Sequence, residues 1–225
     1  MRIVTAGEDA LILYLGEKMS PAIAARIRQT GAQLRLMMGA ELIDLTPSYT
    51  SLLVTFDPLT TSHRTVRAKI QQAIAQPGNG VAASGRLVSL PVFYSPETGP
   101  DLEDLAAGAG LSIEQVIAIH QQREYLVYAI GFAPGFAFLG EVDPRIAKPR
   151  LPTPRLRVPR GSVAIAGAQT AVYPAATPGG WNLIGRCPTR MFDPEAEPNM
   201  PVGVGDRVRF QAIERQQFLA LGGEL

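Results

Sequence analysis

Residues 161–186 read GSVAIAGAQTAVYPAATPGGWNLIGR. Apolar positions in this run do not recur every three or four residues, so it holds no amphipathic helix. Instead, apolar pieces at 162–166, 170–173 and 181–185 alternate with breaks at Gly161, Gly167, Pro174 and Pro178-Gly179-Gly180. A similar piece at 207–211 continues the pattern. Short strands between frequent turn signals predict a β-barrel or sandwich. Within the run, Thr177-Pro178-Gly179-Gly180-Trp181 places Pro then Gly in the order that suits a type II turn. A hairpin carrying a core tryptophan explains that segment equally well.

Upstream, Tyr125–Ile130 reads as a strand and leads into Gly131-Phe132-Ala133-Pro134-Gly135-Phe136-Ala137-Phe138-Leu139-Gly140. Glycine permits close backbone approach and proline stiffens the turn. The phenylalanines can wall a pocket or form a buried aromatic turn. Between Arg145 and Arg160 lie Lys148, Arg150, Arg155 and Arg157, with no acidic residue, and Pro149, Pro152, Pro154 and Pro159 keep the strip extended. Such a strip can hold carboxylate or phosphate groups, or can be a solvated loop. Nucleic acid is disfavoured, because aromatics are not interleaved with these charges and the formal net charge is only +1.

A strand at 86–93 opens this half, followed by a short helix at 102–107 that Gly110 closes. Ser112 and Gln115 form a capping-box pair with Leu111 and Val116 at the staple positions, so a second helix starts there. Ile113, Val116, Ile117 and His120 share one face of it. A lone histidine on an apolar face is either a core residue or a general acid/base.

The first third has the order ββαββα, with strands at 2–6, 11–15, 41–45 and 51–56. Residues 46–48 read as a connection. One helix starts at Ser20-Pro21 and stops at Gly39, and another starts near Thr61 and stops at Pro77-Gly78-Asn79-Gly80. The order predicts a small sheet with helices on one face. The small, polar stretch 76–85 is the expected linker. The expected architecture is therefore α+β, with an N-terminal αβ sandwich over 1–83 and a barrel domain over 84–225.

Composition narrows the function classes. The single cysteine, Cys187, leaves no intrachain disulfide, and no His/Cys/carboxylate set stands at metal-ligand spacing, so no metal is expected. There is no apolar run near the ~20 residues of a membrane helix and no signal-peptide pattern at the N-terminus. The expectation is a cytoplasmic protein. Phosphate-loop, dinucleotide and nucleophile-elbow motifs are absent.

Taken in order, Gly99-Pro100-Asp101-Leu102, His120, Tyr125–Gly140, Val158-Pro159-Arg160-Gly161-Ser162-Val163, Gln169-Thr170, Tyr173-Pro174 and 177–185 resemble the family of 5-oxoprolinase B subunits. That family is also called the allophanate hydrolase subunit 1 or sporulation-kinase inhibitor family. Two departures stand out: Ala137-Phe138 where the family often has Pro-Tyr, and Arg160 where it often has a small residue. The resemblance implies a cyclophilin-like barrel. It also implies a homologous barrel partner, the C subunit, and a third component, the A subunit, for ATP-dependent opening of 5-oxoproline to glutamate. A sensor-histidine-kinase inhibitor, or a carboxyl-transfer component acting on urea or a related amide, are the alternatives within the same likeness. From the residues themselves, His120 is the candidate proton-transfer group. Arg150, Arg155, Arg160, Gln169 and Arg186 are candidates for substrate binding. Phe132, Pro134, Gly135, Phe136, Pro178, Gly179, Gly180 and Trp181 are candidate pocket walls. No familiar ATP site is present in this chain.

Overall fold

The computed structural model describes residues 1–75 and 85–225. The chain divides into two compact units, Met1–Ser84 and Gly85–Leu225. The expected linker lies outside the described residues except for Gly85, as do the expected helix stop at Pro77–Gly80 and the boundary at 83/84.

In the first unit, β1 (Arg2–Thr5), β2 (Ala10–Tyr14), β4 (Ser51–Phe56) and β3 (Leu42–Ser48) lie side by side in that order, all antiparallel. Alternate residues of β4 are buried, as a sheet with one covered face requires. That face meets α1 (Pro21–Met38) and α2 (His63–Ala75) through Ile27, Leu34, Val66 and Ile70. Ser20 Oγ accepts from Ile23 N at 3.3 Å to start α1, and Gly39, at φ 53°, ends it. The structure corrects one reading: Thr46-Pro47-Ser48 is not a connection but the end of β3, with Pro47 opposite Leu52. Proline is tolerated there because β3 is an edge strand whose outer side needs no N–H donor.

The second unit is a seven-stranded sheet rolled into a nearly closed barrel. It comprises β5 (Leu87–Val92), β6 (Tyr125–Ile130), β7 (Ala137–Gly140), β9 (Ser162–Ala166), β10 (Gln169–Val172), β12 (Asn182–Arg186) and β13 (Arg207–Ala212). Their spatial order is β12-β9-β10-β7-β6-β13-β5. The two ends meet where Phe93 and Arg186 exchange backbone bonds of 2.8 and 2.9 Å. Only the β5–β13 pair is parallel. The helices α3 (Leu102–Ala109) and α4 (Ile113–Gln121) send Leu105, Val116 and Ile119 into the same core as Val127, Ile165 and Phe210. The Ser112–Gln115 capping box is formed in both directions.

Outside the barrel, β8 (Arg155–Val158) and β11 (Thr177–Gly179) form a two-stranded sheet. A second apolar cluster contains Phe136, Val158, Ala164, Tyr173, Trp181 and Leu183. Strand β9 is therefore covered on both faces, with Val163 and Ile165 in the barrel core and Ala164 and Ala166 in the outer cluster. Double coverage explains its unbroken apolar run. Three expectations need correction here. Thr177–Gly179 is a strand paired with β8, not a type II turn. Part of the basic strip is that partner strand, because an extended proline-rich segment already has strand-like backbone. Ala137–Gly140 is a barrel strand continuing out of the aromatic turn. The C-terminal helix α5 (Arg215–Ala220) carries one fully buried anchor, Phe218, and a single anchor leaves no periodic signal in sequence.

Candidate functional site

An open cleft of about 280 Å³ lies between the β6–β7 turn, the strip around Arg150 and the edge of β11. Its floor and walls are aromatic, built from Phe132, Phe136, Phe138, Tyr173 and Trp181. Phe136 is the hub. Its ring meets Tyr173 at 5.2 Å and Trp181 at 5.7 Å, both edge-on, and Phe138 at 4.8 Å. Edge-to-face contacts of this kind are favoured by the ring quadrupoles. Pro154, Pro178, Gly179 and Gly180 complete the rim.

One cation faces this cleft. Arg150 is exposed, and its Cζ lies 5.8 Å from the centre of the Trp181 ring, within cation–π range. Among the described residues no carboxylate pairs with it. Its position is set from behind. Leu151 N donates to Gly180 O at 2.7 Å, and Asn182 Nδ2 donates to Pro149 O at 2.8 Å and to Ile165 O at 3.0 Å. Burial raises the Tyr173 hydroxyl above the usual tyrosine value against the opposing pull of Arg150 and Arg155, so it stays protonated at neutral pH.

The other expected site residues lie elsewhere. His120 is completely buried in the barrel core, away from the cleft lining. Tyr94 Oη lies 2.7 Å from its Nδ1, Thr170 Oγ1 lies 3.0 Å from its Nε2, and its ring stacks on Phe210 at 4.6 Å. Burial pushes its pKa down to about 3, so it is neutral at physiological pH and has no route to a ligand in the cleft. The apolar face on which it sits packs inward, and the histidine follows. Arg155 donates to Asp101 Oδ1 at 2.7 Å, and the other Asp101 oxygen accepts from Leu183 N at 2.7 Å. That guanidinium ties β8 to the start of α3 and is not free for an anion. Arg160 and Arg186 both meet the C-terminal tail, through Glu224 Oε1 at 3.3 Å and Glu224 O at 2.6 Å. Gln169 is a barrel-strand residue opposite Gly140 and Ala166. Pro134 and Gly135 belong to the turn but not to the cleft lining. Phe132, Phe136, Pro178, Gly179, Gly180, Trp181 and Arg150 are brought together.

Two positioning residues have no distinct signal in sequence. Asp101 stands where a helix cap would, yet its side chain makes no cap bond. Asn182 sits inside an apolar strand piece that gives no hint of three backbone carbonyls within its reach. Among the described residues no group of three or more His, Cys, Asp or Glu could hold a metal, and no helix is long and apolar enough to cross a membrane.

The family model described as the carboxyltransferase domain, subdomain C and D, matches residues 1–202. The chain is 37% identical to the B subunit of 5-oxoprolinase from Bacillus subtilis (strain 168), covering 97% of this chain and 95% of that protein. It is 35% identical to the corresponding 5-oxoprolinase B subunit of Escherichia coli O157:H7 over 93% of this chain and 94% of the relative. Among solved structures, TTHA0988 superposes with a TM-score of 0.82 at 38% identity over 91% of this chain, which spans only 40% of that longer chain. The Kluyveromyces lactis urea carboxylase, at 18% identity and a TM-score of 0.74, covers 97% of this chain and 22% of its own, and shares the fold. These matches place the chain: it belongs to the 5-oxoprolinase B-subunit family of carboxyltransferase subdomain C and D proteins.

Proposed function

We propose that this chain is the B subunit of a cytoplasmic, ATP-dependent 5-oxoprolinase that opens 5-oxoproline to L-glutamate together with its A and C subunits. The observation that carries the reading is the exposed Arg150 guanidinium, without a carboxylate partner among the described residues, on an aromatic wall. A flat five-membered lactam can lie in the mouth of the cleft, over its aromatic floor, while its carboxylate takes the guanidinium's parallel N–H donors. A cleft of about 280 Å³ with one cation suits that small monoanion and not a nucleoside triphosphate. ATP would therefore be held by the partner subunits, where it supplies the phosphoryl group that activates the lactam oxygen.

The cleft also accounts for a division of labour. Its lining contains no carboxylate, histidine or cysteine. It can orient and dehydrate a ring, but it has no group to take a proton from water near neutral pH. The base and the nucleotide site then belong to the other subunits, and this chain alone should not turn over. Co-expression with its A and C partners should give ATP-dependent glutamate from 5-oxoproline. Absence of turnover in that complex, with inhibition of a sensor histidine kinase's autophosphorylation by this chain, would sink the reading.

A further inference from the structure

Phe132 is placed unlike any other aromatic residue of the chain. It is the one non-glycine among the described residues with positive φ, at 73°, and the residue is 69% exposed. Side chains other than glycine rarely adopt that backbone region, and a bulky one least of all. Strain of this kind persists where the surroundings over-determine it. Here the turn is closed by Gly131 N to Phe136 O at 3.1 Å and Phe136 N to Ala133 O at 3.0 Å. It is clamped from behind, since a Cβ on Gly135 would lie 2.5 Å from Met191 O. Burial does not compensate for the strain. Among the described residues its one aromatic contact is edge-on, to Phe136 at 5.3 Å and 77°. A backbone conformation that costs stability and places an aromatic ring in solvent at a cleft mouth is explained by what the ring meets when the cleft is filled.

We infer that Phe132 is the specificity-determining residue of the cleft: its ring closes over a flat, ring-shaped carboxylate whose charge sits on Arg150. This deepens the functional reading above and rests on it for the identity of the ligand, but not for the role of the ring. The strained turn presents the side chain over the opening, where a flat ring gains an aromatic face and an open-chain carboxylate gains little. Selection between ring and chain then comes from Phe132, while Arg150 contributes equally to both.

Trp181 is the sole tryptophan and lines the cleft, so its fluorescence reports occupancy. The isolated chain is titrated with benzoate, with acetate and with 5-oxoproline, as wild type, Phe132→Ala and Phe132→Gly. Wild type should prefer benzoate to acetate by on the order of tenfold, the size of one aromatic contact, and both variants should lose that preference. Phe132→Gly should melt roughly 2–4 °C above Phe132→Ala, because only glycine relaxes at this φ. Retention of the preference in the variants, no benzoate response in wild type, or equal melting of the two variants would each overturn the assignment. Benzoate binding without 5-oxoproline binding would leave Phe132's role intact and overturn the 5-oxoprolinase reading instead.

Discussion

Removing the Asp101 carboxylate should unfold the barrel unit more readily than removing the Arg150 guanidinium of the cleft, and the size of the loss follows from its partners. Asp101 accepts from Arg155 Nη2 and from Leu183 N, each at 2.7 Å. Its side chain is 12% exposed and that of Arg155 is 28% exposed, so the pair is mostly desolvated. Breaking a buried pair costs about 3–5 kcal/mol, and partial exposure of Arg155 lowers that figure. Asp101→Ala also orphans the Leu183 N–H, at about 1–3 kcal/mol. A net loss of about 3 kcal/mol corresponds to a fall in Tm of roughly 6–12 °C for a chain of this size. Arg155→Met should cost about half as much, since Leu183 N still satisfies one oxygen. The double variant should fall short of the sum by about 1–2 kcal/mol, because the two share one interaction. Thermal and urea unfolding by circular dichroism measure all three. If Arg155→Met left Tm unchanged and abolished turnover in the assembled enzyme, Arg155 would be a ligand-binding group and the structural assignment would be wrong.

Three further outcomes follow from the same structure. His120 has its folded pKa lowered to about 3 by burial, below the ordinary histidine value, so the unfolded chain binds the extra proton. Its contribution is present above pH ~6.5 and is lost as pH falls toward 3, which amounts to roughly 2 kcal/mol at pH 5. Melting curves at pH 7 and pH 5 should show that slope, and His120→Gln should flatten it whatever its own stability. Arg150→Ala should weaken 5-oxoproline binding about 10–100-fold, as loss of one charged contact does, with no change in Tm beyond about 1 °C. Trp181 fluorescence and a melt decide that pair of readouts. Gly99→Ala would place a Cβ 2.1 Å from the Ile184 carbonyl carbon, and backbone cannot yield as a side chain can. A loss of about 3 kcal/mol in urea is expected, at the upper end of overpacking costs.

Much of the fold was legible because it is written in local patterns. The ββαββα order, the Ser20 and Ser112 helix starts and the strand at Tyr125–Ile130 depend on caps and periodicity within a few residues. Strands β8 and β11 were not legible, because their partners are distant in sequence or their residues are turn-formers, and the four-residue β7 was masked by the Gly/Pro-dense turn that it continues. Thr177-Pro178-Gly179 becomes a strand only because Arg155–Val158 lies beside it. The site divides the same way. The aromatic turn and the Pro-Gly-Gly-Trp segment showed themselves as unusual runs, and they do meet in the cleft. The arginines could not be sorted by sequence. Arg150 and Arg155 are five positions apart in one proline-rich strip, yet one faces the cleft and the other is taken by Asp101.

By itself, then, the sequence determined the element order, the β-rich second half, the family likeness and the segments from which the cleft is made. Those depend on backbone preference and on which residues stand near each other along the chain. Tertiary structure alone decided which charges are free. It buried His120 between Tyr94 and Thr170, paired Arg155, gave Arg160 and Arg186 to the tail, and left Arg150 open over Trp181. A charged side chain's role is set by the nearest opposite charge and the depth of water around it. Both are properties of chain segments brought together from as far apart as Asp101 and Arg155.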